Sequence, residues 1–244
     1  KFIIETLNSG KNVFVEKPLA ITDTQLNSVI SAYEKNTSNS LTIGFNRRFS
    51  PHMLAIKESI ATKKDPISIS ITINAGYIPK ESWVHDIKRG GGRIIGEACH
   101  FLDLCVFLSD SEITKVCMNA LGPNYLENND VVTILLHLAN GSIASINYFA
   151  NGSSEYSKER IEVYSNGRTW ITDDFKLTTA YGVKGFKNLK TKVDKGHNNQ
   201  FQELMKQVQT GGKPIISSNE IFNVSKATFS AIESMKESSW IDVK

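Results

Sequence analysis

The sequence has no run of the ~20 apolar residues that a bilayer crossing needs. Its first apolar stretch is broken by Glu5, Asn8 and Lys11, so no secretory leader is read there. These absences predict a protein that does not cross a membrane, and a cytoplasmic one is expected. Cysteine is scarce. The three residues Cys99, Cys105 and Cys117 show no CxxC spacing, and an odd number leaves one thiol unpaired in any disulfide scheme. Their ordinary reading is as buried, reduced thiols. An excess of one charge is missing too: the formal net charge is +3 over 244 residues. The densest basic cluster, Lys57–Lys64, reads as a solvated helix face or loop. A nucleic-acid partner wants a concentrated basic stripe, so none is expected. There is no nucleophile elbow, no phosphate-cradling P-loop and no HExxH pair.

What remains is an ordinary globular composition, 40% hydrophobic and 22% charged, in a length that suits one or two domains. Residues 1–10 place Phe2, Ile3, Thr6 and Leu7 at helical spacing and stop at Ser9-Gly10. Asn12–Val15 is a short apolar run of the kind buried in a parallel sheet. Thr22–Asn36 predicts a second helix, with Thr22 and Gln25 in a capping-box arrangement. Leu41–Phe45 follows as a second short strand. Helix, strand, helix, strand is the rhythm of a doubly wound sheet, met here as its second part.

The pattern then changes. Ile67, Ile69, Ile71 and Ile73 alternate with polar residues, as do Val132, Ile134, Leu136 and Leu138, which predicts strands with one wet face. Asn140-Gly141 and Asn166-Gly167 sit between alternating runs and predict type I′ hairpins. Helices are expected near 51–62, 97–108, 198–210 and 219–237, the last capped by Ser217 with Glu220. Residues 183–196 read as an exposed loop or edge strand. The fold class is therefore α/β: part of a Rossmann-type parallel sheet (1–46), then an α+β domain with an open, mainly antiparallel sheet (47–244).

Two stretches can carry chemistry. Glu16-Lys17-Pro18 closes the first strand, and ligands of open α/β sheets collect at the carboxyl ends of strands. Lys17 would bring a cation with three donors there; the plainer reading is a solvated lysine. The second stretch is Gly90-Gly91-Gly92-Arg93, leading to a helix that carries Glu97, His100 and Asp103 at three-residue spacing. A histidine flanked by carboxylates can act as a general base near neutral pH; a lone helical histidine is also often structural. Three ligands on one helix make a poor metal site, and no metal is expected. The glycine run is not a dinucleotide fingerprint, because the third glycine of GxGxxG would fall on Ile95.

Taken together, these motifs resemble the glucose–fructose oxidoreductase / inositol dehydrogenase / MocA family over almost the whole chain. The resemblance runs through Gly10–Pro18, Gly44-Phe45-Asn46-Arg47-Arg48-Phe49, the glycine run with His100, Gly196-His197, and Lys213-Pro214-Ile215. It implies NAD or NADP as cofactor and a carbohydrate-type substrate. Hydride would pass between the nicotinamide and a secondary alcohol or ketone of a sugar, sugar nucleotide or cyclic polyol. Lys17 would polarise the reacting oxygen, and His100 would exchange its proton. Glu97 or Asp103 would orient the histidine. Glu16, Lys17, Pro18, Asn46 and Arg47 would lie against the cofactor. Lys17, Arg48, Trp83, His85, Arg93, His100 and Asp103 would meet substrate. A homo-oligomer through the open sheet is expected. One departure is Gly96, where the family commonly has an aspartate four residues before the histidine. The other is the phosphate loop and ribose-binding acid, which would precede Lys1, so this stretch alone is expected to bind NAD(P) weakly and turn over little. The alternative is a sugar- or nucleotide-binding or dimerisation domain without catalysis.

Overall fold

The computed structural model describes residues 1–60, 65–122 and 130–244. Helix α1 (Phe2–Asn8) leads into β1 (Val13–Val15), α2 (Asp23–Glu34) and β2 (Leu41–Ile43), and the two strands pair in parallel. Thr22 caps α2 through the Gln25 amide at 3.2 Å, while the Gln25 side chain accepts from the Ile21 amide at 3.1 Å. Thr22 thus satisfies one of the free N–H groups at the helix start, and Gln25 reaches one residue past the cap rather than back to Thr22 itself.

A 3₁₀ turn (Asn46–Phe49) and α3 (Pro51–Ile60) lead out of this unit. Residues 61 and 62 of the expected third helix, and the end of the Lys57–Lys64 cluster, lie outside the described residues. Strand β3 (Ser68–Asn74) follows, then a 3₁₀ turn (Trp83–His85). A π-helical turn (Ile94–Ala98) runs into α4 (Cys99–Ser109). Strands β4 (Ile113–Ala120), β5 (Val131–Leu138), β6 (Ile143–Phe149), β7 (Glu159–Ser165), β8 (Arg168–Asp173), β9 (Leu177–Tyr181) and β10 (Leu189–Lys190) come next. The chain closes with α5 (His197–Thr210), α6 (Ser218–Glu237) and β11 (Ile241–Asp242).

Among the described residues, nine strands form one sheet in the order β10-β9-β8-β7-β3-β6-β5-β4-β11. Every pairing is antiparallel except β3 with β6. Helices α4 and α6 pack together over one face. The residues that alternate inward toward them, such as Ile71, Ile134, Ile146 and Val163, are fully buried. The opposite face keeps Leu135, Ile143 and Tyr164 exposed.

The two Asn-Gly turns differ. Asn166 and Gly167 both have positive φ (47° and 72°), as a type I′ turn requires. At Asn140-Gly141 only the glycine does. The Gly141 amide bonds the Leu138 carbonyl, and the Leu138 amide bonds Ser142, which is a type I turn followed by a glycine bulge. The Asn140 side chain is tied to the Ser109 carbonyl and the Ser142 amide, so its backbone keeps an ordinary φ. The capping box of α6 is also incomplete. Ser217 accepts from the Glu220 amide at 3.3 Å, but the Glu220 carboxylate is taken by Arg48 at 2.5 Å.

Candidate active site

Lys17 leaves the end of β1 and donates to the Gly96 carbonyl at 2.7 Å. That carbonyl lies in the π-helical turn, where the usual i→i+4 ladder is loosened and carbonyls are more open to other donors. His100 stands in the first turn of α4, buried, with its ring edge-on to Phe45 at 6.1 Å. Its Nδ1 is buried without a partner. Burial first, then the charges of Arg47, Lys17, His197 and Lys195, hold the imidazole well below its usual pKa. It is neutral at pH 7, and a neutral imidazole can accept a proton. The structure therefore brings Lys17 and His100 to one place from two ends of the fold.

The three-residue spacing of Glu97, His100 and Asp103 does not produce one shared cluster. Both Asp103 oxygens are held by Arg48, from Nε at 3.0 Å and Nη2 at 2.5 Å. The Arg48 Nη1 reaches Glu220. Arg48 and Asp103 are both buried, so this triad is a strut between the 3₁₀ turn, α4 and α6. Burial keeps the Asp103 carboxyl at about 6 even with the guanidinium on it. Both Asp103 oxygens are thus turned to Arg48, and Asp103 makes no hydrogen bond to His100.

Glu97 turns toward the sheet. It accepts from the Tyr148 hydroxyl and from Arg93 Nη2 at 3.4 Å. Burial pushes its carboxyl up, but Tyr148, Arg93 and Lys17 outweigh that and leave it below the usual range. Arg93 also donates to the Gly76 carbonyl at 2.8 Å and lies over the Tyr148 ring. It therefore binds protein groups on several sides.

Arg47 forks onto Glu159 with two 2.9 Å bonds, and Lys195 donates to the same carboxylate at 2.5 Å. Asn46 is buried and donates to the Lys195 carbonyl at 2.7 Å. Glu16 is exposed, with its carboxylate folded over Gly44. Pro18 is half-buried beside Leu19 and Cys99. Trp83 is exposed, and His85 bonds the Ile78 carbonyl at 3.2 Å. Cys99 is buried and its thiol is pushed up to about 12 by burial, which keeps it protonated and inert. Among the described residues no group of His, Cys, Asp and Glu is placed to hold a metal ion.

Four site neighbours were not singled out as site residues from the sequence: Tyr148, Glu159, Lys195 and His197. Glu159 left a signal, since it occupies an inward position in the alternation of β7 with Ile161 and Val163. The position of His197 depends on Gly196. This glycine has φ +84°, and a Cβ on it would sit 2.4 Å from both the Asn46 oxygen and the Ser50 nitrogen. Gly196→Ala should lower unfolding stability by about 3 kcal/mol through backbone strain and clash. A denaturant midpoint unchanged from the parent would refute this.

Residues 62–169 match the family model described as the GFO/IDH/MocA C-terminal domain. Over that stretch the chain is similar to the GFO/IDH/MocA family. An inositol 2-dehydrogenase of Rhizobium meliloti is 28% identical over 163 residues, covering 65% of this chain and 48% of the relative. A scyllo-inositol 2-dehydrogenase (NAD(+)) of Bacillus subtilis is 28% identical over 229 residues, covering 88% of this chain and 66% of the relative. Levoglucosan dehydrogenase, solved with NADH and levoglucosan, shares the fold with a TM-score of 0.82 at 18% identity, covering 99% of this chain and 76% of that one. The chain spans about half the length of the first curated relatives it matches.

Proposed function

We propose that this chain is a GFO/IDH/MocA-type protein that supplies the substrate side of an oxidoreductase moving hydride between NAD(P) and a secondary alcohol or ketone of a sugar, sugar nucleotide or cyclic polyol. The observation that carries this reading is the meeting of Lys17 with the turn that presents His100. An ammonium and an unpartnered, neutral imidazole are what an alcohol needs to lose its proton as hydride leaves the carbon. The relatives support it, being named inositol dehydrogenases, and so does the likeness to a fold solved with NADH.

The residues present fit the nicotinamide end of such a cofactor. Lys17 stands just past the carboxyl end of β1, and His100 is near enough for the Lys17 charge to act on its imidazole. Glu16, Lys17 and Pro18 would line that end. The side chains of Asn46 and Arg47 are engaged within the protein, so only their backbone would remain for contact. The cofactor supplies the hydride acceptor; the protein supplies the proton path and the geometry. Lys17 would fix the oxygen and His100 would take its proton. Trp83, His85, Arg48, Arg93 and Asp103 would act on substrate at most through the shape of the pocket, since all but Trp83 are bonded internally.

The decisive experiment is isotope transfer. myo-Inositol or levoglucosan carrying deuterium at the ring carbons is offered with NAD⁺, and deuterium is sought at the nicotinamide. Transfer is the expected result. Ligand binding without transfer would favour the non-catalytic binding domain instead. The weak turnover expected of residues 1–244 taken alone belongs to the same proposal and is read in the same assay. The homo-oligomer rests on the exposed Leu135, Ile143 and Tyr164 of the open sheet, and sedimentation reads it.

A further inference from the structure

The sheet sets a row of inward side chains directly under the site. Tyr148 on β6 is opposite Ile73 on β3, which is opposite Glu159 on β7. All three are buried, and the two at the flanks are polar. Glu159 is accounted for by Arg47 and Lys195. Tyr148 is the strand residue in direct contact with the other side of the site, where its hydroxyl donates to Glu97. Arg93 closes the arrangement. Its guanidinium lies 5.2 Å over the Tyr148 ring; Nη2 bonds Glu97 at 3.4 Å and the Ala75 carbonyl at 3.3 Å, and Nη1 bonds the Gly76 carbonyl, both carbonyls lying just past the end of β3.

We propose that Tyr148 is a positioning residue of the active site: it anchors the Glu97 carboxylate, and through it the Gly96-Glu97 peptide on which the Lys17 ammonium rests. This rests on the hydride-transfer reading above for its consequence in turnover, but not for its geometry. Lys17 donates to the Gly96 carbonyl, one bond from the Glu97 amide. Whatever holds Glu97 therefore holds the seat of the ammonium. The site lacks an acid at position 96, and Glu97 supplies a negative charge near Lys17 from the next residue. Three groups favour that charge from three places: the Tyr148 hydroxyl from β6, Arg93 from its own turn, and Lys17 from the end of β1. Burial, followed by the Glu97 charge, raises the Tyr148 hydroxyl above its usual range, so it remains a donor. Among the described residues no other strand residue donates to Glu97.

Tyr148→Phe tests this because it removes one hydroxyl and keeps the ring under Arg93. The Glu97 carboxyl is followed by NMR titration of ¹³C-labelled protein, which needs neither cofactor nor substrate. The parent Glu97 should titrate below a free carboxylate, and the variant should titrate at least one pH unit higher. Turnover of the active enzyme should fall three- to tenfold with KM within twofold, and the acid limb of its pH profile should move up with the titration. In a Glu97→Gln background, adding Tyr148→Phe should cost nothing more. An unchanged Glu97 titration in a folded Tyr148→Phe protein overturns the proposal, as does a full Tyr148→Phe effect persisting without Glu97. A moved titration in a protein that transfers no hydride from any polyol upholds the anchoring and refutes the oxidoreductase reading instead.

Discussion

If the proposed hydride transfer holds, Lys17→Ala should lower its rate at least tenfold, and about a hundredfold where the ammonium meets the reacting oxygen as a positioned donor. The reason is geometric. Lys17 is the cation held at the carboxyl end of β1, anchored by a single 2.7 Å bond to the Gly96 carbonyl, which leaves other N–H groups for substrate. Alanine removes the charge and the donors together, in the transition state and in the bound substrate. kcat/KM should therefore fall more than KM rises. His100→Asn provides the comparison. It removes a neutral base that gives no hydrogen bond to the rest of the described protein, so folding should be spared while turnover falls about 10²- to 10⁴-fold. Steady-state kinetics of both variants with an accepted polyol decides the matter. Near-normal kcat in Lys17→Ala would remove it from the chemistry.

Arg48→Met should be the most damaging change to stability, by about 3–5 kcal/mol, because it leaves Asp103 buried without its cation. The pH dependence identifies the cause. In the parent, the folded Asp103 carboxyl holds its proton up to about 6, against about 3.9 when unfolded. The folded state thus binds more protons than the unfolded state between about pH 4 and 6, and this group's contribution to stability falls as pH rises through that window. Without Arg48 the folded carboxyl is pushed higher still, and the fall continues above pH 6. The loss relative to the parent should then be larger at pH 8 than at pH 5. Arg48→Met with Asp103→Leu should recover much of it, since an apolar pair leaves no bare charge. Denaturation curves at the two pH values give the answer. Equal losses at both would mean that Asp103 is not the group left exposed.

Much of the fold could be read along the chain. Burial alternates at period two in β3, β5 and β6, where the isoleucine and leucine runs predicted strands, and α2 and α6 begin at the expected caps. The glycine run, the histidine and the Glu-Lys-Pro turn were also visible as candidates. Partners were not. Glu97, His100 and Asp103 share a helical spacing, yet Glu97 faces β6 and Asp103 faces Arg48. Spacing along one helix says which side chains are near each other; it does not say what lies opposite.

Local sequence, then, determined the elements, because periodicity, caps and turn residues act over a few positions. It also determined that Lys17 follows a short strand, of which the structure buries only Val13, and that His100 lies in the first turn of a helix. Only the tertiary structure decided which charges cancel. The register of β6, β3 and β7 puts Tyr148 and Glu159 on either side of Ile73, and the site's carboxylates follow from that row. Cross-strand neighbours are distant in sequence, and a one-residue slip in register would have turned both polar groups to the opposite face.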